Sequence, residues 1–194
     1  GNETSIIQRW VEASDKDAPL LTGQEYAYMF RAGYEAVRRI SRSQRVAMAG
    51  PHGLDTQYIQ DMFDEHDRIG FQFRDYILDM HFYPNNGDVP ELSGMLEAFQ
   101  WLNDKCIERG NPEFDFTEYG YTTNPEGRKR APIFEGYTIE ESQGICLLRT
   151  FIMFCSFSKS GSIYQYDGRD MRGASAAEPF AFTGMYTREW EEKP

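Results

Sequence analysis

Apolar residues recur along the chain in two alternating rhythms, period 3.6 and period 2, and that alternation predicts βα units feeding a parallel sheet. The first helix is signalled by TGQE (residues 22–25), where Thr22 and Glu25 have capping-box spacing, and its apolar positions continue through Tyr26, Phe30, Tyr34 and Val37. RVAMAG (45–50) then reads as a strand ended by Pro51. A helix over about 55–66 follows, with Tyr58, Ile59, Met62 and Phe63 on one side. YILDMHFY (76–83) is the second strand, closed by Pro84 and the turn-rich NNGD. The pattern next predicts a helix over about 90–109 stopped by Gly110, the strand FDFTEYG (114–120), and a polar loop containing Pro125, Gly127 and Pro132. TIEE (138–141) is a second capping box, opening a helix through Ile145, Leu148, Phe151 and Ile152, and SIYQYDGRD (162–170) is the last strand.

Four strands separated by helices fit either a small open doubly wound sheet or the C-terminal part of a (β/α)8 barrel. No strand is followed by GxGxxG or a P-loop, so the dinucleotide-binding form of the open sheet has no support. No repeat, low-complexity stretch or domain boundary is visible, and residues 1–194 are expected to form one partial barrel domain.

Composition narrows the function classes. Hydrophobic residues are 40% and charged residues 26%, which is globular, and no uninterrupted apolar run approaches the ~18 residues of a membrane span. A net charge of -11 repels phosphate backbones, so no nucleic-acid partner is expected. The two dense basic clusters have simpler readings. RRISRSQR (38–45) complements a helix C-terminus, and GRKR (127–130) reads as a solvated loop. Cys106, Cys146 and Cys155 lack CxxC spacing, and the last two fall nine positions apart on one predicted helix, so three buried free thiols are expected and neither a disulfide framework nor a zinc site. No metal or organic cofactor is called for.

The chemistry lies in the carboxylates. Cleaving a glycosidic bond with retention takes two carboxyl groups about 5 to 5.5 Å apart, and in a βα barrel such groups sit at strand C-terminal ends. Glu118 meets the placement condition, and Glu3 meets it if a strand precedes it. Asn2-Glu3, then RVAMAGP, DMHFYP, TEYG, and finally YQYDGRD with FTGMYTREWEEKP, resemble strands 4 to 8 of the clan A retaining glycoside hydrolases. The spacing 118 - 3 = 115 residues suits the intervening βα units. The phrasing of the HFYP and YQYDGRD strands is similar to families 39 and 86 of that clan, which cover xylosidase-like and marine-galactan activities.

The resemblance implies that Glu3 is the acid/base, Glu118 the nucleophile, and Asn2 a partner of the sugar 2-hydroxyl. It also implies that the Tyr83 phenol touches the nucleophile. His81 and Tyr83, two apart on a strand, share a face with Asp79 below them. His52, in GPHG after the first strand, and Tyr166 and Asp170, at the end of the last, are candidate sugar contacts. Many clan members place a Trp close after strand 8 as a sugar platform, and Tyr166 or Trp190 would take that place here. Trp10 and Trp101 read as packing residues and His66 as a solvated helix end.

The expected partner is a poly- or oligosaccharide. The resemblance also implies a secreted, periplasmic or cell-surface location and a missing N-terminal half of the barrel, without which the chain is expected to be inactive. Two other functions remain open: a non-catalytic carbohydrate-binding module derived from the same barrel, and an unrelated open α/β domain with a small-molecule site.

Overall fold

The computed structural model describes residues 21–71, 75–171, 178 and 180–194. The alternation is real: α1 (Gly23–Ile40), β1 (Val46–Ala47), α2 (Thr56–Arg68), β2 (Tyr76–Phe82), α3 (Met95–Arg109), β3 (Phe114–Tyr119), α4 (Ile139–Cys155) and β4 (Ser160–Gln165) follow in that order. The strands form one parallel sheet with neighbours in chain order, β1-β2-β3-β4, and β1 pairs with β2 in the register Val46 to Tyr76 and Ala47 to Ile77. Sequential parallel strands joined by helical crossovers are what βα units produce.

Local chemistry explains where the elements begin and end. Both capping boxes form. The Thr22 hydroxyl accepts from Glu25 N–H at 3.2 Å while the Glu25 carboxylate accepts from Thr22 N–H at 2.9 Å, and Thr138 and Glu141 do the same at 3.1 and 2.7 Å. The expected helix over 90–109 is in fact two pieces, a 3-10 turn Pro90–Leu92 and then α3, because Gly94 takes a left-handed φ of 87° that interrupts the helix. The ladder of β1 is shorter than the apolar run suggested, although Met48 N–H still donates to Ile77 O at 3.0 Å and Gly50-Pro51 interrupts the pairing before His52. The last strand starts at Ser160 and stops at Gln165, earlier at both ends than expected, and the Tyr166-Asp167 peptide that follows is cis.

The chain divides into two compact units. The first comprises residues 1–81, 100–116 and 159–162. Within it, α1 and α2 pack through Tyr26 against Tyr58 at 5.8 Å, and Phe30 reaches Tyr76 of β2 at 4.9 Å between ring centres. Gly23 is required at the start of α1, since a Cβ there would collide with the Tyr58 carbonyl and lie 2.8 Å from Asp61 Cβ. His66 is not a solvated helix end: it is 2% exposed, packs on Phe30 and lies with Nε2 3.4 Å from Ala27 O. Burial pushes its pKa down to about 4.

The second unit comprises residues 82–99, 117–158 and 163–194. Phe99 meets Phe154 edge-on at 5.5 Å, and Tyr121, Ala131 and Cys146 form a buried cluster under Phe134, Ile139 and Leu147. Gln143, buried on α4, donates to Tyr121 O at 2.6 Å and Thr183 O at 3.2 Å, stitching the end of β3 to the C-terminal segment. Of the three thiols, Cys106 and Cys146 are buried, and burial raises both to about 12, whereas Cys155 is exposed on the last turn of α4, contrary to expectation. Among the described residues no helix is long and apolar enough to cross a membrane.

Candidate active site

Glu118 is the penultimate residue of β3, and its half-buried side chain emerges at the C-terminal end of that strand. Tyr83, one residue beyond β2 and 4% exposed, donates its phenolic hydrogen to Glu118 Oε2 at 3.2 Å. The Tyr83 ring is fixed by two others. Phe180 lies 4.6 Å away and Tyr166 6.3 Å away and perpendicular, while Tyr166 and Phe180 also meet at 5.9 Å. Lys129 donates to the Tyr83 carbonyl at 2.8 Å, so the GRKR segment is not merely a solvated loop.

The backbone is arranged to permit this closeness. Tyr166 N–H donates to Tyr119 O at 2.8 Å, which presses the Tyr166 carbonyl onto Gly120, where a Cβ would clash with it. Gly120 thus lets the Tyr166 segment lie flat against the end of β3, beside the carboxylate. A phenol aimed at a carboxylate in this way holds its rotamer.

Asp170, also predicted for this site, is buried at 5% exposure, and its Oδ1 accepts from Lys193 Nζ at 2.8 Å and from Gly184 N–H at 2.9 Å. Lys193 reaches Thr123 Oγ1 and Phe182 O as well, so the pair ties the segment after β4 to the loop after β3.

In the first unit, His81 is 2% exposed with Nε2 3.6 Å from Asp79 Oδ2. Gly50 packs onto both: a Cβ there would lie 2.9 Å from the imidazole Cδ2 and 3.1 Å from the Asp79 carboxylate. His52, exposed, forms a backbone bridge with His81. The structure therefore groups His52 with His81, and Tyr83 with Glu118 and Tyr166, while Asp170 joins Lys193. Asn2 and Glu3 lie outside the described residues, as does Trp10. Sequence reasoning missed Phe180 and Lys129. The only advance signal for Phe180 was its place in the aromatic-rich stretch PFAF downstream of the last strand. Among the described residues no group of three or more His, Cys, Asp or Glu could hold a metal ion.

No family model matches the sequence, and no curated protein matches it either. Solved structures do. The chain is similar over 100% of its length to a monomeric β-xylosidase from Caulobacter crescentus CB15, at 12% identity and a TM-score of 0.65. It is similar over 100% of its length to the GH39 enzyme from Xanthomonas axonopodis pv. citri, at 13% identity and a TM-score of 0.64. Fungal β-1,4-galactanases match 87% of it at 15% identity and a TM-score of 0.60. The chain spans 38%, 37% and 53% of those three chains, respectively. At such identities the likeness establishes the fold: the protein has the α/β architecture of part of a (β/α)8 barrel, and the barrels it is similar to are glycoside hydrolases.

Proposed function

We propose that the chain is the C-terminal part of a retaining glycoside hydrolase barrel. Glu118 is the nucleophile, and its attack on the anomeric carbon forms a covalent glycosyl-enzyme while the leaving-group oxygen takes a proton from Glu3. Glu3, then ionised, removes a proton from water, which displaces the sugar from Glu118 and restores both groups. Asn2 bonds the 2-hydroxyl, an interaction that strengthens as the carbon acquires oxocarbenium character.

The observation that carries this proposal is the Tyr83 to Glu118 hydrogen bond at the C-terminal end of β3. Barrel enzymes build their active face at strand C-terminal ends. A carboxylate there that is held by a buried phenol, rather than left in solvent, is organised for a single trajectory of attack. Tyr166, on the neighbouring segment, supplies an aromatic wall for the sugar.

The test uses the full-length polypeptide and a panel of aryl glycosides. E118A and E3A each lower turnover by orders of magnitude with the far-ultraviolet circular dichroism unchanged. An activated fluoroglycoside labels the peptide containing Glu118, seen by mass spectrometry. Near-normal activity in both variants, or labelling elsewhere, defeats the assignment. Saccharide binding without any released product in the unmutated polypeptide points instead to a binding module.

A further inference from the structure

The basic stretch GRKR (127–130) carries three consecutive cations in a chain of net charge -11, and the cleavage chemistry gives it no role. It is held across the ends of the neighbouring strands β2 and β3. Asn86 N–H, in the loop after β2, donates to Arg128 O at 2.7 Å. On the β3 side, Thr122 N–H donates to Lys129 O at 2.9 Å and Ala131 N–H to Thr122 O at 3.0 Å. Gly127 is required at the turn, since a Cβ there would lie 2.8 Å from the Thr122 methyl carbon. The stretch thus belongs to the rim at the strand C-terminal ends, the face on which barrel enzymes build their sites.

Its three side chains differ in what they hold. Lys129 Nζ donates to Tyr83 O at 2.8 Å and lies 5.9 Å from the centre of the Phe82 ring. Arg128 Nε donates to Asn85 Oδ1 at 3.2 Å, which leaves the two terminal amino groups of its guanidinium for another acceptor. Arg130, half-buried, passes Gly87 with Nε 3.8 Å from where a Cβ would stand. Arg31, Arg45, Arg68, Arg109 and Arg149 each hold a carboxylate, yet neither Arg128 nor Arg130 joins an ion pair among the described residues. Asp88 and Glu126, exposed acids of the same two loops, join none either.

We infer that Arg128 and Arg130 form a subsite for an anionic substituent of the saccharide, a carboxylate or a sulfate ester on a sugar next to the one held at Glu118. A guanidinium presents paired N–H donors that match the oxygens of such a group, and a charge-assisted pair is stronger than a hydrogen bond between neutral partners. Asn85, which holds Arg128, is two residues from Tyr83, at most ~7 Å of chain, and Tyr83 holds Glu118. The net charge of -11 otherwise opposes an anionic glycan, so a local basic rim fixes where that glycan lands. The inference rests on the hydrolase proposal, because it takes Glu118 as the point of cleavage.

Calorimetric titration of the full-length polypeptide carrying E118Q, which removes the proposed nucleophile, reads the subsite directly. Two pairs of probes are used: a β-linked xylose hexasaccharide with and without a glucuronyl branch, and a β-linked galactose hexasaccharide with and without sulfate esters. The pair that shows a preference names the anion. At least one anionic probe binds about tenfold tighter than its neutral counterpart, and R128M/R130M brings the two within about twofold. R128M and R130M singly each reduce the preference about threefold, and they decide the matter where the double variant does not fold. Equal affinity for both members of each pair, a preference unchanged in these variants, or no binding by any probe overturns the inference. Release of reducing sugar by the polypeptide with Glu118 intact is measured separately. Arginine-dependent binding of an anionic probe without such release leaves the subsite standing and removes the hydrolase proposal, whereas release with no preference for the anionic member does the reverse.

Discussion

The Tyr83 phenol donates to Glu118 Oε2 across 3.2 Å, joining the residue just past one strand to the penultimate residue of the next. Hydrogen bonds to an ionised group contribute about 1.5 to 3 kcal/mol. In the full-length polypeptide, Y83F should therefore lower kcat on an aryl glycoside by roughly 10- to 100-fold, with KM little changed, because the ring packing against Phe180 is kept. Steady-state kinetics check it, and an unaltered kcat removes the phenol from the mechanism.

Gly120 gives a second, steric handle on the same site. A methyl group there meets the Tyr166 carbonyl, and relief requires the segment after β4 to lift off the end of β3. G120A is expected to destabilise the protein by about 1 to 3 kcal/mol and to reduce kcat together with it. Urea denaturation and activity measured on one preparation show whether the two losses coincide.

His66 supplies a pH-dependent term. Burial lowers its pKa from the ordinary 6.5 to about 4, so between those values the unfolded chain binds a proton that the folded chain refuses. Stability then falls as pH drops through that window. The full effect is up to about 3 kcal/mol, moderated by Glu65 and Asp67, which favour the charged ring, and by Arg109, which opposes it. Denaturation midpoints at pH 7 and pH 4.5 should separate less in H66M than in the parent protein.

The Lys193 to Asp170 pair predicts a large stability effect from one exchange. Both side chains are under a tenth exposed, and K193M leaves a buried carboxylate with the Gly184 N–H but no counter-charge. The expected loss is about 3 to 5 kcal/mol, read from the urea midpoint. D170N should lose less, since its amide oxygen still accepts from Gly184.

How much of this could be read in advance follows from the range of each signal. Capping boxes and apolar periodicity are local, so the helices starting at Thr22 and Thr138, and the strands containing His81 and Glu118, were legible. The chain order of the sheet was legible too, because βα connectivity leaves few alternatives. Gly94 was readable as a residue but not as a helix break, since only its backbone angle decides that. His66 was misread because its DEHD setting is polar in sequence while its neighbours in space are Phe30 and Ala27. Cys155 erred the other way: an apolar helix such as α4 looks buried all round, yet Leu148, Phe151 and Ile152 are exposed alongside it. At the site, Glu118 and Tyr83 came from motif order. Phe180 and Lys129 could not, because no periodicity links residues 83, 129 and 180.

The wall of Tyr83, Tyr166 and Phe180 draws its rings from three remote stretches of chain, the first two 166 - 83 = 83 residues apart. Long-range loops of this kind close late, after the helical crossovers have already nucleated. Ripening of this proposed catalytic corner should accordingly lag behind assembly of its scaffold, and a pulse of protease during refolding would find residues 180–194 cleavable after α1 and α2 have become resistant.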